Sequence, residues 1–219
     1  MSICIVSLSD QSFFTIVTAA LEAYKVDHAK HDSGESEKYL ETFGNLWGYR
    51  SEDTAGKKVF RVVMADVSTA AERSQDFVID KKESYDAKSS FIETYYPELS
   101  FIGDYHSHPY TIQRDGVKTE LDLERNELYQ FSSSDFKSVK HQQQELERKY
   151  NVGLVATVYE RDRSIKRSRK HIDEKSCIRF QYQNMTIWIK AYVWTGHDYR
   201  RKSDKMVCLI CPNLGFNAG

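Results

Sequence analysis

Two histidines at the end of an apolar stretch constrain this chain more than any other feature. Residues 103–109 read GDYHSHP, and the preceding residues predict a β-strand over Leu99–His108. Residues i and i+2 of a strand point to the same face, so His106 and His108 can present two imidazoles side by side. Asp135, in FSSSDF at 131–136, can add a third ligand. Three nitrogen and oxygen ligands with one position left to water are typical of catalytic zinc.

A candidate general base lies far upstream, in the stretch ETFGNLWG at 41–48. With this segment, HSHP at 106–109 and SSSD at 132–135, the chain resembles the JAMM (MPN+) zinc metalloproteases. The pattern of that family is Glu-x-x-Gly-x-Leu-x-Gly, then His-Ser/Thr-His-Pro, then Ser-x-x-Asp. A single short motif matches by chance, whereas three in the right order are far more specific. The resemblance extends over most of the chain.

The resemblance implies a role for each matching residue. His106, His108 and Asp135 are expected to hold one catalytic Zn²⁺. Glu41 is expected to move protons as the general base, and Ser132 to hydrogen-bond the oxyanion of the reacting carbonyl. Bound zinc lowers the pKa of water to about 7 and polarises a carbonyl, so an amide can be hydrolysed without a covalent intermediate.

The same resemblance implies the fold and the reaction. We expect an α/β MPN (JAB/JAMM) fold, a mixed central β-sheet flanked by helices, in one domain over residues 1–219. The expected activity is that of a deubiquitinase-like isopeptidase, which cuts isopeptide or peptide bonds at the C-terminus of ubiquitin or a ubiquitin-like protein. Bacterial members work with ubiquitin-like or sulfur-carrier proteins, some in antiphage conjugation operons, so proteins of a conjugation machinery are expected partners.

An insertion separates the second and third motifs. Between His108 and Asp135 lie 26 residues, more than the family usually has, and the charged insert Tyr110–Phe131 is expected to line the entrance as a lid or substrate clamp. Asp122, in TELD at 119–122, is a competing third ligand. Asp135 is favoured because a helical pattern with Phe136, Val139 and Leu146 follows it. Ser132 and Asp135 also suit a helix N-terminus. Just before the second motif, near the end of the histidine strand, Asp104 replaces a residue that is commonly aromatic in the family.

Two other functions remain open at this point. A catalytically silent MPN scaffold that binds partners would hold no zinc. An accessory nucleic-acid-binding protein would use the basic run at 161–170, but a formal net charge of −1 argues against a chain built chiefly for nucleic acid. Because no long apolar stretch and no signal peptide stand out, we expect a cytoplasmic protein without a membrane partner.

Periodicity and turn residues predict the remaining elements. The predicted strands are Ile3–Ser7, Phe43–Tyr49, Val59–Val67, Val152–Tyr159, a hairpin of Ile178–Tyr182 with Thr186–Trp194, and Met206–Cys211, the last three forming the C-terminal strands of 177–211. The predicted helices are Gln11–Tyr24, with Phe14, Val17, Leu21 and Tyr24 near one face, Lys88–Tyr96 and Ser133–Tyr150. Cys4 and Cys177 are expected to be core thiols, and a strand is expected to separate Cys208 from Cys211.

Overall fold

The computed structural model describes residues 3–29, 35–52, 56–145, 150–163, 168–195 and 206–217. The strands are β1 (Ile3–Leu8), β2 (His28–Ala29), β3 (Ser36–Glu37), β4 (Phe43–Glu52), β5 (Lys58–Ala65), β6 (Glu72–Arg73), β7 (Val78–Ile79), β8 (Ser100–Tyr110), β9 (Tyr150–Glu160), β10 (Arg169–Ile172), β11 (Cys177–Tyr182), β12 (Met185–Thr195) and β13 (Met206–Ile210). The helices are α1 (Asp10–Lys25), α2 (Lys82–Tyr95), α3 (Ile112–Asp115), α4 (Glu120–Arg125) and α5 (Ser133–Glu145). Among these residues, no helix is both long enough and apolar enough to pass through a lipid bilayer.

One curled mixed sheet contains most of the described strands, in the order β10-β11-β12-β9-β8-β4-β5-β1-β13. The central strand β8 runs parallel to β9 and antiparallel to β4. The first strand β1 lies between β5 and β13 and is parallel to both. The two outer strands approach each other where His171 of β10 donates from Nε2 to the Leu209 carbonyl of β13, at 2.8 Å. The chain is therefore mixed α/β, as predicted at that level.

Helix α1 covers one face of the sheet against β5, β8 and β9. Ser9 begins it, because its hydroxyl accepts the N–H of Ser12 at 3.1 Å. The buried stripe of the helix runs through Ile16, Ala20 and Tyr24. The prediction that Phe14 belongs to this face is wrong, since its side chain is 66 % exposed. The buried face includes Ala19, Ala20 and Ala23, whose small side chains allow close packing on the sheet, and Phe14 lies outside this face.

Helix α5 and the insert lie on the opposite face of the sheet. The strand β9 separates the two layers, and its residues 151–159 are all buried, which confirms the prediction of a buried strand. Helix α5 corresponds to the predicted helix Ser133–Tyr150 but ends before Tyr150. It is helical to Glu145, residues 146–149 lie outside the described part, and Tyr150 already pairs with Thr195 as the first residue of β9. Leu146 of the helical pattern lies in the gap.

Most other predicted elements are confirmed within a few residues. Helix α2 is an exception, since it begins at Lys82, six residues before the predicted Lys88. The thiols of Cys4 and Cys177 are buried as expected. Cys208 lies within β13, whereas Cys211 follows the strand and is buried, so the two do not form a thiol pair on one strand face.

Candidate active site

The paired histidines lie near the end of the central strand β8. Both are buried, and their ring centroids are 4.8 Å apart. The two Nε2 atoms are separated by 3.0 Å, which is close enough for one ion to contact both. The structure thus brings together His106 and His108, as the i, i+2 spacing predicts.

Asp135 completes a triangle of donor atoms. Its Oδ2 lies 3.4 Å from His106 Nε2 and 3.3 Å from His108 Nε2. Tetrahedral ligands at ordinary zinc–nitrogen and zinc–oxygen lengths are separated by about 3.3 Å, so the triangle fits one ion of that size. Within the described part of the chain, these three side chains form the group that could hold a metal ion. Two imidazoles and a carboxylate suit a borderline divalent ion.

The surroundings of Asp135 favour its ionised form. Burial by itself would raise the pKa of this carboxyl, but hydrogen bonds and charge from His106 and His108 outweigh burial and hold the pKa far below its usual range. The carboxylate is also fixed at the start of α5. Its Oδ2 accepts the N–H of Ser132 at 2.6 Å, and the Asp135 N–H donates to Ser132 Oγ at 3.2 Å. This reciprocal cap fixes the third donor before any ion is bound.

Asp122, the competing third ligand, lies at the start of a different helix. Its N–H donates to the Thr119 hydroxyl at 3.1 Å, and this bond caps α4. Asp122 is absent from the described group that could hold a metal ion. The hydroxyl-x-x-carboxylate pattern at 119–122 therefore marks a helix start away from the histidines, and the structure favours Asp135.

Glu41 precedes β4 and is only 8 % exposed. Its backbone N–H donates to the Ser74 carbonyl at 2.8 Å. Burial raises the pKa of the Glu41 carboxyl to about 7, with the charge of His108 opposing the rise and that of Asp135 adding to it. A carboxyl with this pKa can take up a proton near neutral pH and release it again, which is what a general base and acid must do.

Ser107, between the two histidines, attaches the Glu41 segment to β8. Its N–H donates to the Thr42 carbonyl and its hydroxyl accepts the Thr42 N–H, both at 3.0 Å. Successive side chains of a strand alternate between faces. Ser107 can therefore bind the Glu41 segment on one face of β8, while His106 and His108 project from the other face. Sequence reasoning missed this role, although a small hydroxyl residue between two candidate ligands was a usable signal.

The two glycines of the first motif allow close backbone packing. A Cβ on Gly44 would lie 1.9 Å from the Asp66 carbonyl oxygen, and one on Gly48 would lie 1.8 Å from the Arg61 carbonyl oxygen. Any other residue at these positions would force β4 away from its neighbours. The glycines therefore set the backbone position of β4, the strand that follows Glu41.

A cavity of about 710 Å³ lies beside His106 and Asp135 and includes Glu41. One side is the hairpin of β6 and β7, and the other is the start of α5. The lining residues from these two sides are Asp76, Phe77, Val78, Ile79, Asp80, Ser134, Lys137, Ser138, Val139 and His141. Asp104, which departs from the family pattern, is buried and also lines this cavity. A substrate here would contact the proposed base and two of the donor residues.

Ser132 lies at the predicted helix start, but its hydroxyl is already engaged. It accepts the Asp135 N–H and lies 2.7 Å from Ser134 Oγ. Its side chain is exposed, and the cavity is lined by Ser134 rather than by Ser132. The structure therefore shows the capping role of Ser132, and its oxyanion role stays a prediction.

The insert packs on β9, β11 and β12 instead of covering the cavity. Its buried residues Val117, Leu123 and Tyr129 contact Tyr159, Cys177 and Trp188 of these strands. Of the insert, only Phe131 lines the cavity. This placement favours a fixed wall over the lid that the sequence position suggested.

Two carboxylates of α4 anchor the insert further. Glu120 bonds to Arg161, Arg179 and Thr186, and Glu124 bonds to Arg179, Lys170 and Trp188. The Arg161–Glu120 and Arg179–Glu124 separations are 3.1 Å and 3.0 Å. Arg161 and Lys170 belong to the basic run at 161–170, of which residues 164–167 lie outside the described part. The two basic residues named here bind the insert's own carboxylates.

Phe131 joins the insert to the donor triangle. Its ring centroid lies 4.9 Å from that of His106 and 4.5 Å from that of Tyr192. Its backbone N–H donates to Tyr192 Oη at 3.0 Å. This bond fixes the chain one residue before the Ser132 cap. Tyr192 is a second residue that sequence reasoning missed, because the bond links positions far apart in the chain.

Comparison of the sequence with models of known protein families and with curated proteins found no match. What bears on the function of the chain is therefore the geometry of the donor triangle, the buried Glu41 and the three motifs.

Proposed function

We propose that this chain is a zinc-dependent peptidase of the JAMM type with an MPN fold. The observation that carries the proposal is the triangle of His106, His108 and Asp135 donor atoms, with edges of 3.0–3.4 Å, in one site with the buried Glu41. The curled mixed sheet and the order of the three motifs support the same proposal.

The residues divide the chemistry among them. His106, His108 and Asp135 hold the zinc, which when bound acidifies a water molecule and polarises the scissile carbonyl. Glu41 takes a proton from the attacking water and passes it to the leaving amine. The Ser132 cap uses an acceptor lone pair of the hydroxyl, so its O–H can donate to the oxyanion when Ser134 is the donor of the bond between the two hydroxyls.

The proposed substrate is the C-terminal tail of ubiquitin or a ubiquitin-like protein, joined through a peptide or isopeptide bond. The family resemblance supports this choice, and proteins of a conjugation pathway, including an antiphage one, are the partners it suggests. A cavity of about 710 Å³ between the β6–β7 hairpin and α5 has room for a short extended peptide. A silent scaffold would require neither the donor triangle nor the buried base.

Metal analysis tests the donor set. We expect about one zinc per chain in wild type and in Asp122→Ala, and loss of zinc in Asp135→Ala, by elemental analysis of protein purified in metal-replete medium. Loss of zinc in Asp122→Ala alone would identify Asp122, and not Asp135, as the third ligand. A wild type without metal would contradict the proposal.

Cleavage assays test the reaction. A ubiquitin-like protein with a short extension after its Gly-Gly tail is a suitable substrate, compared with the same protein whose tail glycines are replaced. We expect Glu41→Gln to retain zinc while kcat falls by about 10²-fold or more. Equal cleavage by wild type and Glu41→Gln would exclude Glu41 as the base.

A further inference from the structure

The second nitrogen of His108 has no role in the proposed metal site. Its Nε2 belongs to the donor triangle. Its Nδ1 is buried and has no hydrogen-bond partner among the described residues. An imidazole that binds a metal through one nitrogen is neutral and carries its proton on the other, and this N–H ordinarily donates to an oxygen. The site therefore calls for an acceptor near His108.

A buried hydroxyl lies on the neighbouring strand. Thr157 of β9 is the register partner of His108 of β8. Paired residues of adjacent strands project their side chains from the same face of the sheet. Thr157 is 0 % exposed, and its Oγ1 also has no hydrogen-bond partner in the described part of the chain. His108 Nδ1–H thus lacks an acceptor, and Thr157 Oγ1, which can accept, lacks a donor.

The surroundings of this pair are aromatic and closed to solvent. Trp188 pairs with Thr157 from the other side and is fully buried. The Tyr110 ring packs edge-on against His108, with centroids 6.1 Å apart. A hydroxyl without a partner in such surroundings is costly, whereas a valine would have nearly the same shape and no polar atom to satisfy. The presence of threonine therefore suggests a use for its oxygen.

The two atoms are not hydrogen-bonded to each other in this structure. We propose that in the metal-bound protein Thr157 Oγ1 accepts a hydrogen bond from His108 Nδ1–H, after rotation of the threonine side chain or through one water molecule, and that Thr157 is a positioning residue of the metal centre. This inference rests on the proposed function, because it takes His108 Nε2 as a ligand. The bond fixes the tautomer that leaves the Nε2 lone pair for the ion and fixes the ring orientation. Loss of such a partner weakens metal binding by about 10–100-fold, and a hydroxyl belongs at the lower end.

A purely structural threonine makes the opposite prediction. In that case Thr157→Val removes an unsatisfied hydroxyl from the core, so the metal-free protein becomes equally or more stable and metal affinity does not change. Thr157→Ser retains the hydroxyl but loses a buried methyl group, so it lowers stability. The two substitutions therefore separate the role of the oxygen from that of the volume.

The test is a competition titration of zinc against a chromophoric chelator, on wild type, Thr157→Val and Thr157→Ser, with urea unfolding of the metal-free proteins. We expect Thr157→Val to weaken zinc binding about tenfold without loss of stability, and Thr157→Ser to stay within about twofold of wild type although it is less stable. The visible spectrum of the Co²⁺-loaded protein should shift in the valine variant and not in the serine variant.

Three results would overturn the inference. Equal zinc affinity of wild type and Thr157→Val would exclude the role of Thr157 in positioning His108 and would leave the proposed function intact. Equal weakening in both variants assigns the effect to packing. A wild type that binds no zinc removes the inference together with the proposed function. The long-range ¹H–¹⁵N NMR spectrum of zinc-loaded wild type tests the tautomer without any substitution. We expect the ring proton of His108 on Nδ1, and a proton on Nε2 would contradict the inference.

Discussion

The two segments that flank the candidate site are held in different ways. The insert, residues 110–131, buries apolar side chains against the sheet and pairs Glu120 and Glu124 with arginines that are themselves largely buried. The hairpin of β6 and β7, residues 72–79, is attached mainly by single hydrogen bonds to Ser74 and Gln75, and its Phe77 and Ile79 are exposed. The longer segment is thus the more firmly fixed of the two.

This difference indicates which side of the cavity can adapt to a substrate. Local opening is easiest where few apolar contacts and few buried hydrogen bonds hold a segment. By that criterion the hairpin moves first, and the insert supports it, because Arg114 of the insert donates to Gln75 O at 2.9 Å and also to Pro109 O. We therefore expect the hairpin to control substrate affinity and the insert to control the stability of the site.

The largest expected effect comes from breaking the anchor of the insert. Arg179→Ala leaves the partly buried Glu120 and Glu124 without their shared partner, so the free energy of unfolding should fall by about 3 kcal/mol. Urea denaturation measures the loss. Lys38→Ala is the matched control, because the Lys38–Asp27 pair is exposed and should change stability by less than about 1 kcal/mol. Similar losses in both variants would show that the network does not fix the insert.

Glu41→Gln tests the cost of the buried base in metal-free protein. The pKa of Glu41 in the folded protein is about 7, above the ordinary 4.5, so folding favours the neutral carboxyl. The neutral Glu41 makes its full contribution to stability below pH 4.5, and this contribution is lost as the pH rises through 7. Glutamine imitates the neutral form at every pH. The variant should match wild type near pH 4.5 and exceed its unfolding free energy by up to about 3 kcal/mol at pH 8. A difference independent of pH, by urea denaturation with a chelator, would contradict this.

Tyr192→Phe tests the connection between the insert and the donor triangle. The Phe131 N–H loses its acceptor in a buried position, so the unfolding free energy should fall by about 1–2 kcal/mol, and zinc should bind more weakly because the Ser132 cap and Asp135 follow directly. Chelator competition and urea denaturation measure the two effects. Tyr182→Phe, on an exposed side chain, is the control and should change neither quantity.

Arg114→Ala should loosen the hairpin without disturbing the rest of the insert. We expect faster amide hydrogen exchange in residues 72–79 and unchanged exchange in residues 117–129, with a loss of about 1 kcal/mol in stability. Arg114→Lys keeps the charge but not the forked geometry, so it should behave like alanine. Faster exchange throughout 117–129 would mean that hairpin and insert open as one unit.

The smallest effect on stability is expected at the exposed tip of the hairpin. Phe77→Ser should change the unfolding free energy by less than about 0.5 kcal/mol and raise KM for a ubiquitin-like substrate while kcat stays nearly constant. Phe91→Ser, on an exposed aromatic of α2 away from the cavity, is the control. An unchanged KM in both variants would remove the hairpin from substrate binding.

The features predicted from sequence are those encoded by local periodicity. The alternation of a strand places His106 beside His108, and a hydroxyl three residues before a carboxylate places Asp135 at a helix start. Those patterns need only a few neighbouring residues. Local pattern was also enough to locate most strands, because the buried runs are rich in β-branched residues.

The features that escaped prediction depend on contacts between distant residues. The bond between Ser107 and Thr42, the bond between Phe131 and Tyr192, and the pairing of Glu120 with Arg179 each join separate segments. Tertiary packing also decides which face of α1 is buried. No window of sequence contains both partners of such a contact, so pattern reasoning has no access to it.

The position of β13 beside β1 affects the order in which the chain can assemble during synthesis. Ile3 pairs with Met206 and Ser7 with Ile210, so the outer edge of β1 has no neighbour until residues 206–210 have left the ribosome. The three donor residues and the strand β9 beside them emerge earlier. Since chains fold as they emerge from the ribosome, a nascent chain carries all three donor side chains of the candidate site before its sheet can be finished, and an ion bound there at that stage would bias how the remaining strands fold.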